Sequence, residues 1–363
     1  MSSNRDSGIH LNGLNGIRAI AALAVVVSHT LLFSKSFGLP ENTGLDLAGF
    51  GVSIFFSLSG FLITYLLLLE KKQFTTINTK AFYIRRILRI WPLYYFYLLA
   101  AILCIILFKL AVLPGSLIYY LLLSANIPFI VGTELPLVGH YWSLGVEEQF
   151  YLFWPWVVKK SKNLTKVLIL FISIFLLLKL SFRILDIKTG ISWPYMVIHV
   201  NRFECMAIGA LGAVFFFNEN TFFYRTVFHP APQIIAWASI GLMAINKFHI
   251  ASFIDNDVVA AITVVLIANV AANEKTLISL NAGIFNFLGK ISFGIYVYHP
   301  LVLFFSGKLI GNFLNKWSIA GKYVLLFSYV LIVTVAIAWI SYNFFEKKFL
   351  VLKSKFALIK SSS

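Results

Sequence analysis

Charge is what this chain has least of. Asp, Glu, Lys and Arg make up 12% of its 363 residues, about half of the ~25% usual in a soluble domain. The shortage is steepest in acid, with 14 Asp and Glu against 30 Lys and Arg, a net charge of +16. Cysteine is nearly absent. Cys104 and Cys205 each sit inside an apolar run, with no Cys-x-x-Cys neighbour and no His at metal spacing, which excludes a disulfide framework and a zinc site. Phosphate-loop, His-Glu-x-x-His and EF-hand patterns do not occur, so the function classes that depend on them fall away. Neither a metal nor a permanently bound cofactor is expected.

What is present is apolar. Hydrophobic residues are 60% of the chain, and Phe alone occurs 36 times. A water-soluble core of this size cannot hide that much surface, so lipid must be its solvent. In lipid the backbone has to satisfy its own hydrogen bonds, which leaves helices or a closed barrel. The apolar runs are continuous rather than alternating, and that selects helices. Spans are predicted near 11–33, 48–69, 91–113, 141–158, 164–182, 200–217, 231–246, 257–273, 284–306 and 322–345. The run 116–130 is short and contains Asn126 and Pro128, so it is predicted to be interfacial or re-entrant. The expected fold is an all-α polytopic membrane bundle of about ten transmembrane helices. It forms one domain over 1–363, with spans from about 11 to 345 and a short basic tail, 346–363.

The positive residues are clustered. Lys71, Lys72, Lys80, Arg85, Arg86 and Arg89 fall in 70–90; Lys159, Lys160, Lys162 and Lys166 follow the fourth span; Lys347, Lys348, Lys353, Lys355 and Lys360 lie in the tail. With ten spans all three clusters share one side, which the positive-inside rule makes cytoplasmic, with both termini there. The same rule accounts for the net charge through anionic lipid, without a nucleic-acid partner. Arg5 before the apolar stretch 19–27 has the look of a leader, but no small-residue cleavage pattern follows. A retained first span is expected.

Ionisable groups inside spans are costly and by default mark function. Arg18 and His29 in the first span are eleven residues apart. At 100° per residue they share a face, about 16 Å apart along the axis. In the run Gly139-His140-Tyr141-Trp142-Ser143-Leu144-Gly145-Val146-Glu147-Glu148-Gln149-Phe150-Tyr151, two adjacent carboxylates enter an apolar helix. One of them can serve as a base or orient a histidine. The alternative is a capping arrangement, with Ser143 at the N-cap and the glutamates in the first turns. Ser292, Tyr296 and His299 share a face of the ninth span. Arg86 and Arg89 point the same way and can grip phosphates. The small residues of Gly49–Phe61, Ser59 and Gly60 among them, permit close helix approach or leave room for a slender ligand.

Taken together and in order, these pieces resemble the acyltransferase-3 family of bacterial membrane O-acyltransferases. The matching pieces are Arg18 with His29 after Leu11–Ile17, Gly51-Val52-Ser53-Ile54-Phe55-Phe56-Ser57-Leu58-Ser59-Gly60-Phe61, Arg86-x-x-Arg89, Trp142-Ser143-Leu144-x-x-Glu147-Glu148-Gln149-Phe150-Tyr151, and Ile291-Ser292-x-x-Ile295-Tyr296-x-x-His299. The resemblance implies an acyl-CoA donor, typically acetyl-CoA, at the cytoplasmic face of the inner (plasma) membrane. It implies a hydroxyl acceptor outside, on a surface glycan or a lipid-linked glycan. His29 would be base or transient acyl carrier, essential together with Arg18, while Glu147, Glu148 and His299 complete the catalytic set. Arg86 and Arg89, with Arg85, Ser59 and Gly60, would hold the donor. Trp142, Ser143, Tyr151 and Tyr296 would meet the substrate. Three positions depart from the pattern: Asn12, Asn15 where Arg is frequent, and Ser53 where Asp is frequent. No Gly-Asp-Ser esterase-like domain follows the tenth span, so a stand-alone transferase, or one working with separate glycan-assembly proteins, is expected. The rival readings are a transferase acting on an antibiotic, a lipid or a glucan by succinyl transfer, and a transporter of the same topology.

Overall fold

The computed structural model describes residues 11, 13–40, 46–314 and 316–359; Arg5, Asn12 and Lys360 lie outside them. Among the described residues every regular element is helical. In chain order these are α1 (Leu14–Leu32), α2 (Leu47–Phe74), α3 (Thr79–Leu107), α4 (Leu117–Leu121), α5 (Asn126–Val131), α6 (Trp142–Lys160), α7 (Leu164–Thr189) and α8 (Trp193–Asn201). They continue with α9 (Phe203–Phe217), α10 (Thr221–Val227), α11 (Pro230–Ala244), α12 (Asp255–Ala272), α13 (Gly283–Lys290), α14 (Ser292–Leu314), α15 (Ile319–Ser341) and α16 (Lys347–Ser354). A π-helical turn, Tyr342–Glu346, joins the last two.

Among the described residues eight helical segments are long and apolar enough to cross a bilayer, α8 and α9 counting as one and α15 with α16 as another. The protein is a polytopic helical membrane protein. Two further expected spans form helices of 19 residues (α6) and 15 residues (α11). The run 116–130 breaks into helices of 5 and 6 residues, roughly 9 Å at most against a ~30 Å hydrocarbon core. Asn126 of this piece is tied by amide hydrogen bonds to Gln149 and Asn201, so it packs on the bundle and does not cross.

Two expectations change in detail. The stretch 70–90 is not a loop. The Asn78 side chain caps the Ala81 N–H at 2.9 Å, α3 starts at Thr79, and Arg85, Arg86 and Arg89 ride on its first three turns. The span at 200–217 starts earlier and is broken at Arg202, a left-handed residue (φ 44°) whose guanidinium holds the Gly49 carbonyl, Ser53 Oγ and Asn256 Oδ1. This gives Ser53 a partner where the family often has Asp. The basic clusters do meet at one end of the bundle. Lys71 Nζ donates to the carbonyls of Val158 and Lys159, and Lys159 Nζ to that of Ile77. Arg85 pairs with Glu70 at 3.2 Å and donates to the Phe356 carbonyl.

α2 is the centre of the bundle, packed on α1, α6, α9 and α12. Its tightest contact is with α9, where Gly60 lies against the Met206 carbonyl and Gly209 against that of Ser57. A Cβ at either glycine would sit 1.9 Å from the facing oxygen, so backbone-to-backbone approach there requires glycine. α7 has its outward face, including Ile169, Leu170 and Leu177, exposed, as lipid contact demands. One buried residue on it points inward: Lys179, 1% exposed, bridges Glu204 of α9 and Asp257 of α12. Glu204, Cys205 and Asp257 bring three ligand-type atoms within 4.8 Å of one another, and the ammonium neutralises part of their charge. Gly60→Ala is expected to lower unfolding stability by at least ~1–3 kcal/mol through overpacking. Gly307→Ala, where no atom lies within 4 Å of an added Cβ, should leave the thermal unfolding midpoint in detergent unchanged.

Candidate active site

α1, α2, α3, α6 and α14 line a narrow cavity of about 100 Å³. Its polar lining is Arg18, Ser59, Arg86, Arg89, Ser143, Glu147, Tyr151, Ser292 and Tyr296; apolar side chains, mostly of α2, fill the rest. Arg18, Arg86 and Arg89 crowd the end where the basic clusters lie, close enough to repel one another. None of the three has a carboxylate within 4.0 Å among the described residues. Arg18 donates to Asn15 Oδ1 at 2.9 Å, so Asn15, where the family often has Arg, here orients the arginine three residues on. The Arg86 guanidinium lies between the rings of Phe82 and Tyr151, each 5.7 Å away, and its buried Nε has no hydrogen-bond partner.

The two glutamates part company. Successive helix residues point about 100° apart, and only Glu147 faces the cavity, beside the paired hydroxyls of Ser59 and Tyr151. Glu148 turns to α3, where its Oε2 accepts from Trp91 Nε1 at 3.0 Å. Ser143 is not an N-cap. α6 starts a residue earlier without a side-chain cap, and Ser143 Oγ lies 2.5 Å from the Tyr296 hydroxyl. The Tyr296 hydroxyl reaches the His140 carbonyl at 2.7 Å and Ser143 Oγ reaches the same oxygen at 3.3 Å, so the two hydroxyls share one acceptor.

Behind Tyr296, at the far end from the arginines, three imidazoles meet. His29 Nδ1 and His299 Nε2 are 2.7 Å apart, with their rings stacked at 4.9 Å. His299 is fully buried and its Nδ1 lies 2.7 Å from the Tyr296 carbonyl oxygen; His29 is half-buried. The His140 ring sits 5.3 Å from that of His299, with neither nitrogen hydrogen-bonded. Arg18 and His29 thus occupy opposite ends of one polar path, as the helical phase of α1 requires.

Six expected site residues are not in the cavity lining: His29 and His299 lie behind Tyr296, and four others lie elsewhere. Gly60 faces α9, because the close approach of the two backbones consumes it. Arg85 is held by Glu70 and the Phe356 carbonyl. Glu148 is on the wrong side of α6. Trp142 is sandwiched between Phe129, 5.2 Å away, and the Arg202 guanidinium, 5.4 Å away, so it packs the wall without lining the cavity. Sequence reasoning missed His140 and Asn15 as site neighbours and missed Lys179 altogether. His140 stands in the quoted run two residues before Trp142, and its signal was its polarity at the mouth of a span.

The sequence profile of one protein family, described as an acyltransferase domain, matches residues 11–343. The chain belongs to the acyltransferase-3 family. Among curated relatives, "Putative peptidoglycan O-acetyltransferase YrhL" of Bacillus subtilis (strain 168) is 28% identical over 93% of this chain and 54% of the relative. "Putative O-acetyltransferase SACOL0978" of Staphylococcus aureus (strain COL) is 25% identical over 94% of this chain and 57% of its own length. "Peptidoglycan O-acetyltransferase OatA" of Listeria monocytogenes is 33% identical over 46% of this chain and 28% of that protein. The chain therefore spans about half the length of the first two. No solved structure matches it with significance. For this acyltransferase-3 chain the cavity's inner wall gives a direct test. Tyr296→Phe removes the shorter of the two hydrogen bonds to the buried His140 carbonyl and leaves Ser143 as its hydroxyl donor, and should lower unfolding stability by about 0.5–1.5 kcal/mol, read as a fall in the thermal midpoint of the purified protein.

Proposed function

We propose that this protein is a transmembrane O-acetyltransferase of the bacterial plasma membrane. It takes an acetyl group from cytoplasmic acetyl-CoA and places it on a hydroxyl of a cell-envelope glycan or lipid-linked glycan. The observation that carries this reading is the polar path itself: guanidiniums without an ion-pair partner among the described residues line one end of the cavity, and an imidazole pair lies behind Tyr296 at the other. Arg86 and Arg89, with Arg18, hold the phosphates of coenzyme A, since guanidinium forks match phosphate geometry. The slender cavity takes the extended pantetheine arm and brings the thioester toward Tyr296. Relatives named as peptidoglycan O-acetyltransferases support a glycan acceptor, and the positive-inside rule supports placing the arginine end in the cytoplasm.

His29 is the base. It takes the proton of the acceptor hydroxyl as that oxygen attacks the thioester carbonyl carbon. The carbon–sulfur bond then breaks, and the proton passes to the leaving thiolate, giving an ester and free coenzyme A. A neutral imidazole is suited to this step because it can both accept and return a proton near neutral pH. Glu147, facing the cavity midway, orients the donor or acceptor by hydrogen bonding.

Purified protein in lipid nanodiscs, supplied with radiolabelled acetyl-CoA and soluble peptidoglycan fragments or extracted lipid-linked glycans, should transfer label to the glycan. His29→Ala should lower kcat by about 10²–10⁴-fold with an unchanged elution profile. Wild-type transfer by that variant would remove His29 from the mechanism, and no transfer by the unaltered protein to any glycan would sink the reading. Arg86→Ala should raise the KM for acetyl-CoA by roughly tenfold, the loss of one charge-assisted contact to phosphate.

A further inference from the structure

The first turns of α14 contain a backbone carbonyl that its own helix cannot use. In an α-helix the carbonyl of residue i accepts from the N–H of residue i+4. For Tyr296 that residue is Pro300, which lies inside the helix and has no N–H; its ring also pushes the i−4 carbonyl aside. A buried carbonyl without a donor costs free energy, so another donor is recruited. His299 supplies it, with Nδ1 2.7 Å from that oxygen.

This contact fixes protons that the positions of carbon and nitrogen alone leave open. A carbonyl oxygen only accepts, so the hydrogen sits on His299 Nδ1. In the neutral imidazole the other nitrogen then carries the lone pair. His299 Nε2 is therefore an acceptor, and the atom 2.7 Å from it, His29 Nδ1, must be the donor. It follows that the lone pair of neutral His29 is on Nε2. His299 is fully buried and His29 is the half-buried member of the pair, so the ring carrying the available lone pair is also the one open to a ligand.

We propose that Pro300 and His299 are positioning residues that set the tautomer of His29: the proline frees the Tyr296 carbonyl, the carbonyl orients His299, and His299 holds the His29 proton on Nδ1 so that Nε2 is the base. This rests on the transferase reading for its consequence, though not for its geometry. His299, expected from the sequence to act on substrate, acts instead through His29. When the acceptor hydroxyl gives its proton to Nε2, the His29 imidazolium keeps its Nδ1–H bond to His299 Nε2. The pair then carries one extra proton, returned to the thiolate in the same turnover. Neutral histidine in water favours the opposite tautomer, with the proton on Nε2, so an isolated imidazole here would rest mostly with its lone pair on Nδ1, the nitrogen that faces His299.

The test uses the full chain in lipid bilayers with ¹⁵N-labelled histidine, the His29 and His299 signals being assigned from His29→Asn and His299→Leu proteins. Both residues should give the Nδ1-protonated signature in the unaltered protein. In His299→Leu, His29 should shift to the Nε2-protonated form, with kcat down by about 10²-fold or more and the KM for acetyl-CoA unchanged. His299→Gln, whose amide oxygen can accept from Nδ1–H, should recover both the tautomer and a measurable part of kcat. Pro300→Ala returns a backbone donor to the Tyr296 carbonyl and should mix the tautomers of His29. An Nε2-protonated His29 in the unaltered protein, or a His299→Leu protein with wild-type kcat, overturns the proposal. A correct tautomer in a protein that transfers no acetyl group overturns the transferase reading and leaves the positioning intact.

Discussion

Three guanidinium groups inside a membrane-spanning bundle, with no carboxylate at ion-pair distance among the described residues, are the constraint on which the rest of the structure depends. A charged side chain at the centre of a transmembrane helix costs about 2.5–3.5 kcal/mol on insertion scales. Arg18, Arg86 and Arg89 offset only part of this through Asn15 and the rings of Phe82 and Tyr151. They also repel one another. The bundle tolerates them because α2 is held tightly elsewhere, above all against α9 through Gly60 and Gly209. An arrangement of this kind is stabilised whenever a multiply charged anion enters.

The Lys179 cluster shows the opposite solution in the same protein. One buried ammonium is bridged to two carboxylates on neighbouring helices, which joins α7, a helix with a largely lipid-facing outer surface, to α9 and α12. Removing one partner of such a pair typically costs 3–5 kcal/mol, so its role is cohesive. Among the described residues the cavity arginines have no carboxylate at ion-pair distance. The far end of the path follows its own logic. There no carboxylate among the described residues is hydrogen-bonded to the imidazoles, and the proton positions are settled by a backbone carbonyl that a proline has released.

Much of this was legible in the sequence. Apolar run lengths located the helices, and the brevity of 116–130 with its Asn126 and Pro128 told it from a crossing. The eleven-residue spacing of Arg18 and His29 placed both on one line of α1. Local pattern failed where side-chain direction or distant partners decide. Glu147 and Glu148 are adjacent in sequence, so a helix must send them apart, but only the position of α3 tells which one meets Trp91. Arg85 reads like Arg86 until Glu70 is seen across the turn. Gly60 reads as room for a ligand until α9, nearly 150 residues on, fills it. The bond between His29 and His299 spans 270 residues, beyond the reach of any periodicity. Its precondition, a histidine directly before an intrahelical proline, was nonetheless written in the sequence at 299–300.

The most direct measurement is a cryo-electron microscopy structure of the full chain in nanodiscs with acetyl-CoA bound. The phosphates should lie within salt-bridge distance of Arg86 and Arg89, with the pantetheine arm running through the cavity past Glu147 and the thioester beside Tyr296, on the side of the histidine pair. Coenzyme A bound outside this cavity, or reversed with its phosphates toward His29, would contradict the two-ended site.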